Sequence, residues 1–68
     1  MNDMDFLEAL TIMKKGGTVF KKKNPDVLYT AKFDDVTKKY TLFENEKELG
    51  NDTDWDSIFS CNDWEVIE

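Results

Sequence analysis

The stretch that decides the fold is DFLEALTIMKKGG, residues 5–17. Its apolar side chains recur at intervals of three and four, which places them on one face of an amphipathic helix. These side chains are Phe6, Ala9, Leu10 and Met13. Asp5, followed three residues later by Glu8, fits a capping box, and the closing pair of glycines supplies the left-handed backbone that ends many helices. The sequence therefore predicts a helix over residues 5–15.

The residues after the glycines have the character of β-strands. β-branched and aromatic residues predict a strand over residues 18–23, and residues 24–26, Asn-Pro-Asp, predict the turn after it. The clearest hairpin covers residues 27–44, in which alternate apolar positions of the first strand predict one buried face. These positions are Val27, Tyr29, Ala31 and Phe33.

The last third of the chain contains a loop, a helical turn and a strand. Residues 46–53 are polar and predict the loop. Thr53 or Asp54 is placed to cap a short helical turn through Trp55 and Ile58, and residues 63–68 alternate as a closing strand. Short connections require antiparallel pairing. We therefore expect a single α+β domain, residues 1–68: an N-terminal helix packed on a small antiparallel sheet of about four strands, with a short helical turn before the last strand.

Charge is unevenly distributed in this chain, whose net charge is −6. Residues 1–23 carry five lysines and three acidic residues, a balance of +2, whereas residues 44–68 carry nine carboxylates and one lysine, a balance of −8. Such a tail disfavours direct nucleic-acid binding because phosphate repels it. Binding to a basic protein surface, or imitation of DNA, remains an alternative.

The composition argues against catalysis and against a metal site. The chain has no histidine, the usual general base, and its single cysteine, Cys61, has neither an activating partner nor a second cysteine for a disulfide. Paired carboxylates such as Asp34 and Asp35 are better explained as solvated surface charge. The acidic run from Asp52 lacks the glycine and glutamate of a calcium loop. We expect a binding protein with no cofactor.

Lysines and aromatic residues are the candidate ligand contacts. Lys21 and Lys23 could balance phosphate groups, although lysines on an edge strand also discourage aggregation. Aromatic residues make up 13% of the chain, which is more than a small core needs. Tyr29, Tyr40 and Trp55 are the candidates for stacking on a base, with packing in the core or at a subunit interface as the alternative. A domain of this size buries only ~60% of its unfolded surface, so oligomerisation is the expected stabiliser.

Both ends of the chain resemble a known family. Residues 6–10 with residues 13–19, and the segment 57–66, which leads into Asp63-Trp64-Glu65, resemble the start and the end of the family of the second Thoeris anti-defence protein. The resemblance implies an α+β fold, assembly into dimers or tetramers, and capture of immune signalling nucleotides, cyclic or of the ADP-ribose type. Where that family usually has an arginine and then a tryptophan, this chain has residues 21–25, KKKNP.

Two functions follow as expectations. The first is a phage-type anti-defence protein that sequesters a signalling nucleotide without catalysis, through Lys21, Lys23, Tyr29 and Trp55. The second is an acidic inhibitor that binds a host immune protein directly. Residues 1–5 lack the basic region of a signal peptide, and the chain has no apolar run of the ~20 residues that span a bilayer. With one free thiol, we expect a cytoplasmic protein that does not enter membranes.

Overall fold

A computed structural model describes residues 4–67 of the chain. In chain order, the elements are α1 (Phe6–Lys14), β1 (Thr18–Lys21), β2 (Asn24–Asp34), β3 (Lys39–Glu44), β4 (Lys47–Glu48), α2 (Trp55–Ser60) and β5 (Trp64–Ile67). The strands form one antiparallel sheet in the order β4-β3-β2-β1-β5. The predicted α+β fold is confirmed, with five strands. Neither helix of the described part is long and apolar enough to cross a membrane.

Helix α1 lies within the predicted range 5–15, with Asp5 and Lys15 as its capping residues. The Asp5 side chain accepts a hydrogen bond from the Glu8 backbone N–H at 2.9 Å, and the Glu8 side chain accepts one from the Asp5 N–H, so the capping box is formed. At the other end, the N–H groups of Gly16 and Gly17 bond to the carbonyls of Met13 and Ile12. This pairing is a Schellman motif, with Gly16 in the left-handed region at φ 95°.

One face of the sheet carries the core. Val19 pairs with Tyr29 and with Val66, so these side chains share a face. Helix α1 packs on that face, and so does Ile58 of α2. The buried residues that form the core are Phe6, Ala9, Met13, Val19, Tyr29, Leu49, Ile58 and Trp64. The opposite face carries the paired residues Phe20 and Leu28, and neither helix packs on it.

The turn between β1 and β2 differs from the prediction. Strand β1 ends at Lys21, which pairs directly with Asn24, so the turn consists of residues 22 and 23 and not of residues 24–26. The register shift after Phe20 leaves residues 25–27 unpaired with β1, and a bulge of this kind tolerates proline. The turn is anchored from a distance, since Asp63 accepts hydrogen bonds from the N–H groups of residues 22 and 23.

The remaining elements agree with the prediction except in two details. Strand β4 lies inside the predicted loop over residues 46–53 and pairs with the end of β3. Phe33, which was predicted on the buried face of β2, is 49% exposed near the end of that strand, where its ring packs on Tyr40 with 5.1 Å between centroids. Asp54 is the N-cap of α2, as expected. The last residue of the predicted closing strand, Glu68, lies outside the described residues.

Candidate ligand-binding site

A large, open concavity of the described structure lies between α1, β3 and the segment that leads into α2. It has a volume of about 1000 Å³, which is at the upper end of the range found for ligand pockets. We call it the lysine–aromatic cleft and define it by the six lining residues on which the argument depends. These residues are Lys14, Lys38, Lys39, Tyr40, Trp55 and Phe59.

Three lysines line this cleft although the chain as a whole is acidic. Lys14 comes from the last turn of α1, whereas Lys38 and Lys39 come from the turn between β2 and β3. Within residues 4–67, none of the three forms an ion pair with a carboxylate. Glu48 is the acidic residue of the lining. Three lysines and one carboxylate give the lining a net positive charge, a setting that favours an anionic ligand.

The turn that carries two of these lysines has a defined backbone. The Asp34 carboxylate accepts hydrogen bonds from the N–H groups of Val36 and Thr37, at 2.8 and 3.4 Å. The Lys38 N–H donates to the Asp34 carbonyl at 2.7 Å, and Lys38 adopts a left-handed φ of 59°. Because these hydrogen bonds close the turn, they hold the backbone of Lys38 and Lys39 in place.

Aromatic rings line the rest of the cleft and keep exposed surface. Lys14 Nζ lies 5.2 Å from the centroid of the Tyr40 ring, a cation–π distance, and that ring is 41% exposed. Trp55 stacks on Phe59 with 5.6 Å between centroids, and Phe59 is 55% exposed. The Trp55 indole N–H donates to the Gly50 carbonyl at 3.0 Å, which fixes the ring. The cleft thus offers both cations and flat apolar surface to a ligand.

A smaller pocket of about 300 Å³ lies nearby and has a different character. We call it the mixed-charge pocket, since cations and carboxylates both line it. Its defining residues are Lys21, Tyr29, Glu44, Lys47, Asp52 and Asp54. The Tyr29 hydroxyl donates to Glu44 Oε2 at 3.0 Å. Burial raises the pKa of Tyr29 to about 12, and both the hydrogen bond to Glu44 and the charge of that carboxylate act in the same direction.

The four ligand residues predicted from sequence do not form one site in the structure. Lys21 and Tyr29 line the mixed-charge pocket, whereas Trp55 lines the lysine–aromatic cleft. Lys23 is exposed in the turn between β1 and β2. The Tyr29 ring is 5% exposed and meets Trp64 edge-on at 5.1 Å, so it is a core residue whose hydroxyl reaches a pocket. Lys21 Nζ lies over the rings of Tyr29 and Trp64, at 5.7 and 5.4 Å.

Sequence reasoning missed the lysines of the cleft. None of Lys14, Lys38 and Lys39 is among the ligand contacts predicted from sequence. The one local signal was the run Lys38-Lys39-Tyr40, which places two cations beside an aromatic residue. Only the packing of α1 against the sheet adds Lys14 to them.

The chain was compared with models of protein families, with curated proteins and with solved structures, and none of the three comparisons finds a match.

Proposed function

We propose that this protein binds a nucleotide-sized anion in the lysine–aromatic cleft and acts by sequestering it, without catalysis. The observation that carries the proposal is that Lys14, Lys38 and Lys39 line one cleft together with exposed aromatic rings, in a chain of net charge −6. Lysine ammonium groups suit phosphate oxygens, and exposed rings suit the flat face of a base. The resemblance to the anti-defence family makes an immune signalling nucleotide, cyclic or of the ADP-ribose type, the ligand class to test first.

The cleft supports two kinds of contact. Lys38 and Lys39, held on a closed turn, would bind phosphate oxygens, with Lys14 adding a third charge from α1. The rings of Trp55 and Phe59 would pack against the base. Phosphate contacts by lysine act mainly as point charges, so binding should weaken as salt concentration rises.

A thermal-shift screen tests the proposal. The purified protein is measured against a panel of cyclic dinucleotides and cyclic ADP-ribose isomers. A ligand at a hundred times its dissociation constant adds about 2.7 kcal/mol to the free energy of unfolding, which is about 10–20 °C in melting temperature for a domain of this size. If no member of the panel raises the melting temperature in a dose-dependent manner, the proposal fails.

A pair of charge-matched variants locates the site. Lys38→Gln with Lys39→Gln removes two charges from the cleft, and loss of two charge-assisted hydrogen bonds should weaken binding by about 100-fold or more. Lys23→Gln with Lys32→Gln removes the same charge from exposed positions outside the cleft and should leave affinity within a few fold. Equal losses in both double variants would show a general charge effect and not a site.

The alternative function is direct inhibition of a host immune protein by the acidic part of the chain. Asp52, Asp54 and Asp56 are all exposed in the segment that enters α2, so they present negative charge together. Such an inhibitor would ignore nucleotides and bind a basic protein in a salt-sensitive manner. The nucleotide panel therefore separates the two functions.

We also propose that the protein forms a homodimer or homotetramer and acts in the cytoplasm, where the free thiol of Cys61 stays reduced. The uncovered face of the sheet supports self-association because Phe20, Leu28 and Phe43 lie on it, all partly buried. Light scattering on Phe43→Lys should then show a smaller species than wild type. Val36→Lys, at a position 90% exposed in the hairpin turn, is the control.

A further inference from the structure

The mixed-charge pocket has features that nucleotide binding in the lysine–aromatic cleft does not explain. Leu49 is the residue that the two linings share, and every other residue of the mixed-charge pocket is absent from the lining of the cleft. The two concavities can therefore be altered independently.

Opposite charges line this pocket without pairing. Lys21 and Lys47 face a space that Glu44, Asp52 and Asp54 also line. Within residues 4–67, none of these lysine nitrogens lies within 4.0 Å of a carboxylate oxygen. The lysines and the carboxylates therefore line the same pocket of about 300 Å³ without forming ion pairs with one another.

Some of these groups are already engaged and others remain available. Both oxygens of Asp54 accept hydrogen bonds from Ser57, at 3.3 Å from its N–H and 3.0 Å from its hydroxyl. Glu44 uses Oε2 for the Tyr29 hydroxyl, and its Oε1 has no hydrogen-bond partner in the described part of the chain. Asp52 is exposed and without a side-chain partner within that part. Glu44 and Asp52 are therefore the acceptors that a ligand can reach.

The pocket also has an apolar portion. Leu49 and Ile58 line it and are 8% and 6% exposed. They are therefore core residues of which a small part is accessible from the pocket. A small aliphatic group placed there would gain about 0.8 kcal/mol for each buried methylene. The lining thus combines two cations, free carboxylates and a limited apolar surface.

We propose that the mixed-charge pocket binds a small zwitterion of the α-amino-acid class. Its ammonium group would meet Glu44 and Asp52, its carboxylate would meet Lys47 and Lys21, and its side chain would pack on the apolar portion. A simple anion would bring its charge toward three carboxylates, and a simple cation would bring its charge toward two lysines. A molecule that carries both charges satisfies both sets of groups at once.

Nuclear magnetic resonance tests this proposal. The ¹⁵N-labelled protein is titrated with each of the common L-amino acids up to about 10 mM, which detects affinities weaker than 1 mM. At least one amino acid should give saturable shifts at the amides of residues 47, 49, 52 and 53. Acetate and methylammonium, which carry one charge each, should give none at the same concentration.

Matched variants complete the experiment. Lys47→Met and Asp52→Asn change exposed side chains, and each should weaken binding by about tenfold or more. Lys38→Gln with Lys39→Gln, in the lysine–aromatic cleft, should leave it unchanged. The proposal is overturned if no amino acid gives saturable shifts, if acetate alone reproduces them, or if binding survives both pocket variants. None of these outcomes depends on whether a nucleotide binds in the cleft.

Discussion

Gly16 and Gly17 end helix α1 for different reasons, and substitution by alanine should separate them. At Gly17, an added Cβ would lie 2.5 Å from Ile12 Cγ2 and 3.0 Å from the Ile12 carbonyl oxygen. At Gly16, an added Cβ would meet nothing within 4 Å, but φ is +95°. Gly17→Ala therefore creates a steric clash, whereas Gly16→Ala creates backbone strain.

The expected magnitudes follow from these distances. Overpacking at Gly17 destabilises the fold by about 1–3 kcal/mol. A residue with a Cβ in the left-handed backbone of Gly16 destabilises it by about 1–2 kcal/mol. Alanine recovers about 0.4–1 kcal/mol in each case by restricting the unfolded chain. We expect net losses of about 0–2.5 kcal/mol for Gly17→Ala and about 0–1.5 kcal/mol for Gly16→Ala. A domain of this size has a total stability of only about 3–10 kcal/mol.

A double-mutant cycle with Ile12→Ala distinguishes the two causes. Truncation of Ile12 removes the methyl group that Gly17→Ala would strike, so this pair should show a favourable coupling of about 0.5–2 kcal/mol. The pair Ile12→Ala and Gly16→Ala should be additive. Urea unfolding, with one m-value for all the variants, measures the free energy of unfolding of each. Additive losses for residues 12 and 17, or coupling for residues 12 and 16, would refute this account of the helix end.

Three further predictions concern the cap, the buried tyrosine and the cleft. Asp5→Ala should lower the free energy of unfolding by about 1 kcal/mol in urea because it removes the capping box, whereas Asp26→Ala, at an exposed position, should be neutral. Tyr29 has a pKa of about 12 when folded against 10.0 as its ordinary value, so its contribution to stability is complete below pH 10.0 and is lost as pH rises through 12. After allowance for solvent screening at the pocket, that loss should be about 1–2 kcal/mol. If the free energy of unfolding falls just as steeply with pH in Tyr29→Phe as in the wild type, the assignment is wrong. Glu48→Gln removes the carboxylate of the cleft and should tighten nucleotide binding by about 1.5- to 5-fold in calorimetry, and weaker binding would show that Glu48 contacts the ligand favourably.

The local signals in the sequence were sufficient for helix α1 and for the faces of the strands. The capping box at Asp5 and the Schellman motif at Gly16 and Gly17 involve residues within five positions of one another, so the sequence shows them directly. Alternation in β2 likewise places Tyr29 on the buried face. Such features need no knowledge of the rest of the chain.

Features that depend on distant contacts could not be predicted in this way. The turn at residues 22 and 23 is held by Asp63, which is remote in sequence, and proline at position 25 suggested a later turn. Strand β4 has two residues and no pattern of its own. The cleft is harder still, because Lys14 joins Lys38 and Lys39 only when α1 packs on the sheet.

The most direct test of nucleotide binding in the lysine–aromatic cleft is to map the bound ligand by ¹⁵N chemical shifts. The best ligand from the nucleotide panel is titrated into the labelled protein. Our account predicts saturable shifts at the amides of Tyr40, Leu42 and Gly50 and at the Trp55 indole N–H, all of which belong to the lining of the cleft. Shifts confined to the mixed-charge pocket or to the uncovered face of the sheet, or none that saturate, would contradict it.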